Sequence, residues 1–166
     1  LSKLLDHKCA SRSTAACFGI LDDTDSKPCF IVHDAGDKWT ATVLSSEGRQ
    51  VELYAIDNCP SIVSVFDNNS KRCDGLLVDG SRYILIELKE RNSSGWFSDG
   101  KQQIVSTLGE IERLDSALGA KIRYAYVCNN RRPKSHSSRS NSLEEFKKRY
   151  GVILRDSATI DLDKLQ

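Results

Sequence analysis

Between Cys73 and Glu90 the chain reads CDGLLVDGSRYILIELKE, and three of its charges, Asp74, Glu87 and Lys89, are of types that can do hydrolytic chemistry. Glu87 and Lys89 interrupt an apolar run, where a charge costs folding free energy unless something pairs with it or uses it. Two carboxylates able to share a cation suit Mg²⁺, which takes oxygen ligands and keeps several waters. A lysine beside them could orient or deprotonate an attacking water, or steady charge developing on a phosphate. That is chemistry for phosphodiester hydrolysis. The plainer alternative is a cross-strand ion cluster facing solvent, contributing at most about 1 kcal/mol.

Which reading holds depends on the elements that carry the charges. Asp79-Gly80 is a strong hairpin signal. A two-residue turn there pairs Val78 with Ser81 and sets Asp74 opposite Leu85, on the same face as Glu87 and one diagonal step from it. A three-residue turn would set Asp74 opposite Ile86, on the wrong face. Ile84, Ile86 and Leu88 fall on the other face and are expected to pack against a helix. Ile104, Leu108, Ile111, Leu114 and Leu118 supply its apolar stripe, closed by Gly119. KIRYAYVC, residues 121 to 128, predicts the next strand, so ILIEL, the helix and this strand form a β-α-β crossover.

Asp74, the hairpin and Glu87-Leu88-Lys89 together resemble the PD-(D/E)xK motif of the restriction-endonuclease-like nuclease superfamily, with Cys73 where that motif often has Pro. The resemblance spans about half the chain and implies a mixed-sheet α/β (α+β) fold. It further implies a Mg²⁺-dependent (endo)deoxyribonuclease, Mn²⁺ substituting, in a restriction, repair or anti-phage setting, with DNA favoured over RNA. Asp74, Glu87 and the Leu88 carbonyl would hold the metal, and Lys89 would assist the water. Members similar to RecB-type nucleases also place a Gln on the following helix. Gln103 lies about 80° from the centre of the stripe whereas Gln102 points nearly opposite it, so the positioning role falls to Gln103, whose alternative is an ordinary helix-surface residue. The acidic residue that the family often carries on an early helix has no good counterpart, since Glu52 and Asp57 lie in or beside a predicted strand. The same fold without catalysis, serving as a binding or regulatory module in a larger complex, is the competing expectation.

The remaining pattern supplies a frame. The 166 residues are read as one domain, with an N-terminal extension and meander over 1–48, a core over 50–128, and a basic loop, helix and final strand over 129–166. LSKLL and STAACFGIL are compatible with short helices. CFIVH, KWTATVL and QVELYAI, separated by turn sequences, predict an antiparallel meander, and SIVSVFDNN a further strand. Asn141 or Ser142 is expected to cap a final helix that Gly151 ends, with VILRD as the last strand. The chain starts with Leu and has no Met, so a preceding helix stays open.

A net charge of +1 gives no whole-molecule attraction to nucleic acid, so such binding must rest on a local patch. Arg131, Arg132, Lys134 and Arg139 in the loop after the 121–128 strand are the candidates for gripping phosphates, against the common fate of a solvated loop. Trp96 and Phe97 are expected to pack rather than stack on bases. His33 and His136 have no recognisable catalytic partner by spacing. Six cysteines without a CxxC pair read as buried free thiols in a reducing compartment. His7 and Cys9 form a close pair of metal-ligand types, with no second pair at zinc-finger spacing. No run is long enough to span a bilayer. A cytoplasmic protein, with a homodimer or larger assembly open, is the expectation.

Overall fold

A computed structural model of the chain describes residues 4–22, 26–34, 38–90, 94–131 and 139–166. The described residues form ten strands, β1 (Ala10–Ser13), β2 (Cys17–Leu21), β3 (Phe30–Val32), β4 (Ala41–Leu44), β5 (Val51–Ala55), β6 (Gly75–Asp79), β7 (Arg82–Lys89), β8 (Ile122–Asn129), β9 (Ile153–Asp156) and β10 (Thr159–Asp161), and four α-helices, α1 (Pro60–Val63), α2 (Trp96–Leu114), α3 (Ser116–Gly119) and α4 (Ser140–Tyr150). They form two mixed sheets, one of six strands in the order β1-β5-β6-β7-β8-β9 and one of four in the order β10-β4-β2-β3. The class is mixed α/β, and β7, α2 and β8 make the expected crossover with β7 and β8 parallel.

Strand alternation sorts the six-stranded sheet into two buried faces. Leu76, Val78, Leu85, Ala125, Val127 and Leu154 share one apolar cluster with Ile104 and Ile111 of α2 and Phe146 of α4. Leu53, Leu77, Ile84, Ile86 and Leu88 share another with Phe18, Ile20 and Val43 of the four-stranded sheet and with Ile160 and Leu162. The result is helices, six strands and four strands in three layers. Ile84, Ile86 and Leu88 therefore pack on the second sheet and not on the helix; α2 lies over the face that carries Glu87.

Several local expectations are corrected. STAACFGIL is not helical: Phe18 and Ile20 are fully buried, and β2 passes so close to Trp39 that a Cβ on Gly19 would lie 2.1 Å from the indole ring. The meander is not one, because β2 pairs with both β3 and β4 while β5 joins the other sheet between β1 and β6. SIVSVFDNN begins as α1, with Pro60 at its start where a missing N–H costs nothing. The final helix starts at Ser140, and neither Asn141 nor Ser142 is its N-cap; Gly151 ends it in the left-handed conformation, φ 68°. No helix among the described residues is long and apolar enough to cross a membrane.

The reading of the cysteines as free thiols fails for two of them. Cys9 and Cys59 form a disulfide across 50 residues, whereas Cys29, Cys73 and Cys128 are buried and free and Cys17 is exposed and free. The bridge ties the turn before β1 to the start of α1. Cys9→Ser, or reduction, is expected to lower the unfolding free energy by about 2–4 kcal/mol, read as a lower urea midpoint, with a somewhat steeper slope because the uncrosslinked unfolded chain exposes more surface.

Candidate active site

The β6–β7 hairpin sets the first two carboxylates. Its register pairs Asp79 with Arg82, Val78 with Tyr83 and Gly75 with Ile86. The two turn residues are thus Gly80 and Ser81, one position later than the Asp-Gly signal suggests, with Gly80 at φ 59° as a turn with Gly in its first central position requires. The displacement moves the register by two residues. Face parity is preserved, and Asp74 comes to stand at the position directly opposite Glu87 and not opposite Leu85. Asp79 keeps its strand position because its carboxylate is held by Arg82 and by Arg49 at 3.3 Å.

Both carboxylates are buried, Asp74 at 9% and Glu87 at 1% exposure. The Leu88 N–H donates to Asp74 Oδ2 at 2.5 Å. Lys89 Nζ lies 2.5 Å from Glu87 Oε1 and donates to Gln103 Oε1 at 2.6 Å. Gln103 Nε2 in turn donates to the Arg72 carbonyl at 2.9 Å, and one helical turn further on the Cys73 N–H donates to Thr107 Oγ1 at 2.8 Å. Gln103 and Thr107 fasten α2 to the segment that leads into Asp74. Gln102 instead accepts from Lys71 at 3.3 Å, outside this group. Asp74, Glu87, Lys89 and Gln103 are therefore brought together; for Leu88 the described contact is its N–H.

α2 can approach this closely because residue 100 is glycine. A Cβ there would lie 2.6 Å from Val127 Cγ1 and 3.2 Å from Glu87 Cγ. Gly100→Ala is expected to push the helix off the sheet, costing about 1–3 kcal/mol despite the better helix propensity of alanine. A thermal melt of the variant checks the cost.

The four residues open onto a cavity of about 410 Å³ whose walls also include Asp22, Thr40, Asp57, Leu88 and Glu90. Asp22 follows β2 and Asp57 follows β5, so two further carboxylates reach the cavity from strand ends, and no early helix carries one among the described residues. Asp57 pairs with Arg72 Nε at 3.2 Å, and Thr40 donates to Glu90 at 2.9 Å. Glu52 is elsewhere, bound to Arg12 at 2.7 Å and Tyr54 at 2.7 Å. Asp22 was missed because it sits in a polar turn sequence with nothing local to mark it. Folding β2 against the six-stranded sheet is what brings it in.

Burial dominates the electrostatics of the cavity's two facing carboxylates. Burial, followed by the Glu87 and Asp22 charges, pushes Asp74 well above the usual carboxylate range. Burial also pushes Glu87 up to about 7, against the pull of Lys89. Glu87 Oε2 receives no donor among the described residues; the group that faces Glu87 is the Asp74 carboxyl, which can hydrogen-bond it when one of the two carries a proton. Two facing carboxylates fit an oxygen-bound Mg²⁺ completed by backbone oxygen and water. Among the described residues no third His, Cys, Asp or Glu joins them in a tight cluster; the group that does cluster within 4.8 Å is Asp6, Cys9 and Cys59.

Of the four basic candidates, the described residues include two. Arg131 is exposed. Arg132 and Lys134 lie outside the described residues, as does His136. Arg139 is drawn inward, paired with buried Asp156 and stacked over Trp96 and Phe97 at 4.7 and 4.5 Å. It braces α4 and β9 against the start of α2, and its guanidinium is committed there. Trp96 and Phe97 pack in the core, as expected. His33 is bonded to Ser13 Oγ at 2.9 Å, away from the cavity lining. Compared with protein-family models, with curated proteins and with solved structures, the chain matches none.

Proposed function

We propose that this protein is a Mg²⁺-dependent nuclease of the restriction-endonuclease-like type, hydrolysing phosphodiester bonds, with DNA the favoured substrate. The observation that supports this reading is the pairing of two buried carboxylates across adjacent strands, close enough to share a proton or a cation, beside a lysine held by Gln103. Asp74, Glu87 and the Leu88 backbone would hold the ion. When bound, Mg²⁺ (or Mn²⁺) supplies positive charge against which a phosphate oxygen can develop negative charge. Lys89 offers its ammonium to the attacking water or the phosphate, and Gln103 fixes the direction in which it does so. Asp57 and Arg72 hold the segment that Gln103 grips. A restriction, repair or anti-phage role follows from the same reading.

The test is incubation of the purified chain with plasmid DNA and with RNA under Mg²⁺ and under chelator. Metal-dependent nicking or linearisation is expected; intact nucleic acid under both Mg²⁺ and Mn²⁺, with a folded protein, would overturn the reading. One feature favours the competing module: Lys89, Glu87 Oε1 and Gln103 already satisfy one another without an ion. That network would serve a silent scaffold equally well, and the same incubation separates the two.

A further inference from the structure

We infer that the protein, once its disulfide is reduced, binds Zn²⁺ through Asp6, Cys9 and Cys59. This site is separate from the acidic cavity and does not rest on the nuclease reading. Three ligand atoms of these residues lie within 4.8 Å of one another. Asp6 and Cys9 are three apart and flank a tight turn in which the Cys9 N–H donates to the Asp6 carbonyl at 3.1 Å; that turn runs into the 3-10 segment His7–Cys9. Side chains three apart on such a turn eclipse each other, which aims both at one point. Cys59 meets them there from the start of α1.

The surroundings already orient the ligands. The Ser61 hydroxyl donates to Asp6 Oδ2 and lies 3.3 Å from Cys59 Sγ. The Lys8 N–H donates to Asp6 Oδ1 at 2.9 Å. Outer contacts of this kind fix ligand orientation at metal sites. The Cα atoms of Cys9 and Cys59 are 6.0 Å apart. With Zn–S bonds of about 2.3 Å the two sulfurs need to separate to only about 3.7 Å, a change that side-chain rotation can supply. Cys59 is buried while Asp6 and Cys9 are half-buried, so the fourth position can be taken by water. Two thiolates favour Zn²⁺ over Mg²⁺.

The step balances simply. A trialkylphosphine takes oxygen from water to become the phosphine oxide, and the two sulfurs take the two electrons and the two protons as thiols. Zn²⁺ then displaces those protons, so binding strengthens as pH rises.

The experiment reduces the full chain with a trialkylphosphine, removes excess reductant without oxygen, and titrates with Co²⁺ and then Zn²⁺. One equivalent of Co²⁺ is expected to give a thiolate-to-cobalt absorption band, which Zn²⁺ abolishes. Ions in the acidic cavity give no such band. The oxidised chain is expected to give none, Cys59→Ser to lose it, and Asp6→Asn, which keeps an acceptor for the Lys8 N–H, to weaken zinc at least about tenfold. No band from a reduced chain that retains native circular dichroism would overturn the inference. So would a band that survives in Cys59→Ser or, should that variant fail to fold, zinc affinity unchanged in Asp6→Asn.

Discussion

Glu87→Gln and Lys89→Ala are each expected to lower Mg²⁺-dependent DNA cleavage by about 10²–10³-fold, the range for losing one group that stabilises developing charge. The two should fail differently. Glutamine keeps the size of Glu87 but removes the charge that would face the proposed ion and leaves Asp74 alone, so metal binding should fall with turnover. Lys89→Ala keeps both carboxylates and removes a competitor for Glu87 Oε1, now 2.5 Å away; it should bind Mn²⁺ at least as well as the native chain while cleaving little. Calorimetric titration with Mn²⁺, read beside plasmid cleavage, separates the two. Full activity in Lys89→Ala would remove the lysine from the chemistry.

The second large effect concerns proton and metal competing for one place. Glu87 has its carboxyl raised from 4.5 to about 7 in the folded chain, chiefly by burial. Between those values the folded state keeps a proton that the unfolded state has released, so unfolding free energy falls as pH rises. At about 1.4 kcal/mol per pH unit the loss approaches about 3 kcal/mol by pH 7, and the upward shift of Asp74 acts in the same direction. Urea denaturation in chelator from pH 4.5 to 8 is expected to show this decline. Saturating Mg²⁺ should restore the loss, because the cation replaces the proton and binds more tightly as the proton leaves. Glu87→Gln should flatten the curve. A metal-free stability that rises across this interval would show that Glu87 ionises freely.

Much of the site was legible because it depends on parity. The Asp-Gly signal misplaced the turn by one residue, yet a register error of two leaves Asp74 and Glu87 on one face. What chose between the registers was the pairing of Asp79 with Arg82 and Arg49, and Arg49 comes from outside the hairpin. The stripe of α2 was plain at Ile104, Leu108 and Ile111, but the helix ends at Leu114, which is exposed, and Leu118 and Gly119 fall in α3 beyond Asp115. The side of the sheet that α2 covers was not plain either, because β7 is apolar on both faces. The second sheet escaped notice for a related reason. β2 is short and contains a glycine that exists for Trp39, and β10 has three residues. Alternation over so few positions cannot be told from an irregular segment. The disulfide was beyond reach, since cysteine pairing is not encoded in spacing. Asp22 and Asp57 became site residues only through tertiary folding.

The four-stranded sheet places one constraint on the order of events. Its edge strand β10 pairs in parallel with β4, Ser46 bonds Asp163 across 117 residues, and Arg82 donates to the Leu165 carbonyl at 2.9 Å. The sheet that brings Asp22 to the cavity therefore lacks an edge until residue 161 has been synthesised, and closing so long a loop is slow. During translation the hairpin carrying Asp74 and Glu87 can form early with Phe18, Ile20 and Val43 already available, but the part of its cover from Ile160, Leu162 and Leu165 arrives later. A ribosome-bound chain would thus hold an incompletely covered face, and would gain full protection on it only once these last residues have emerged.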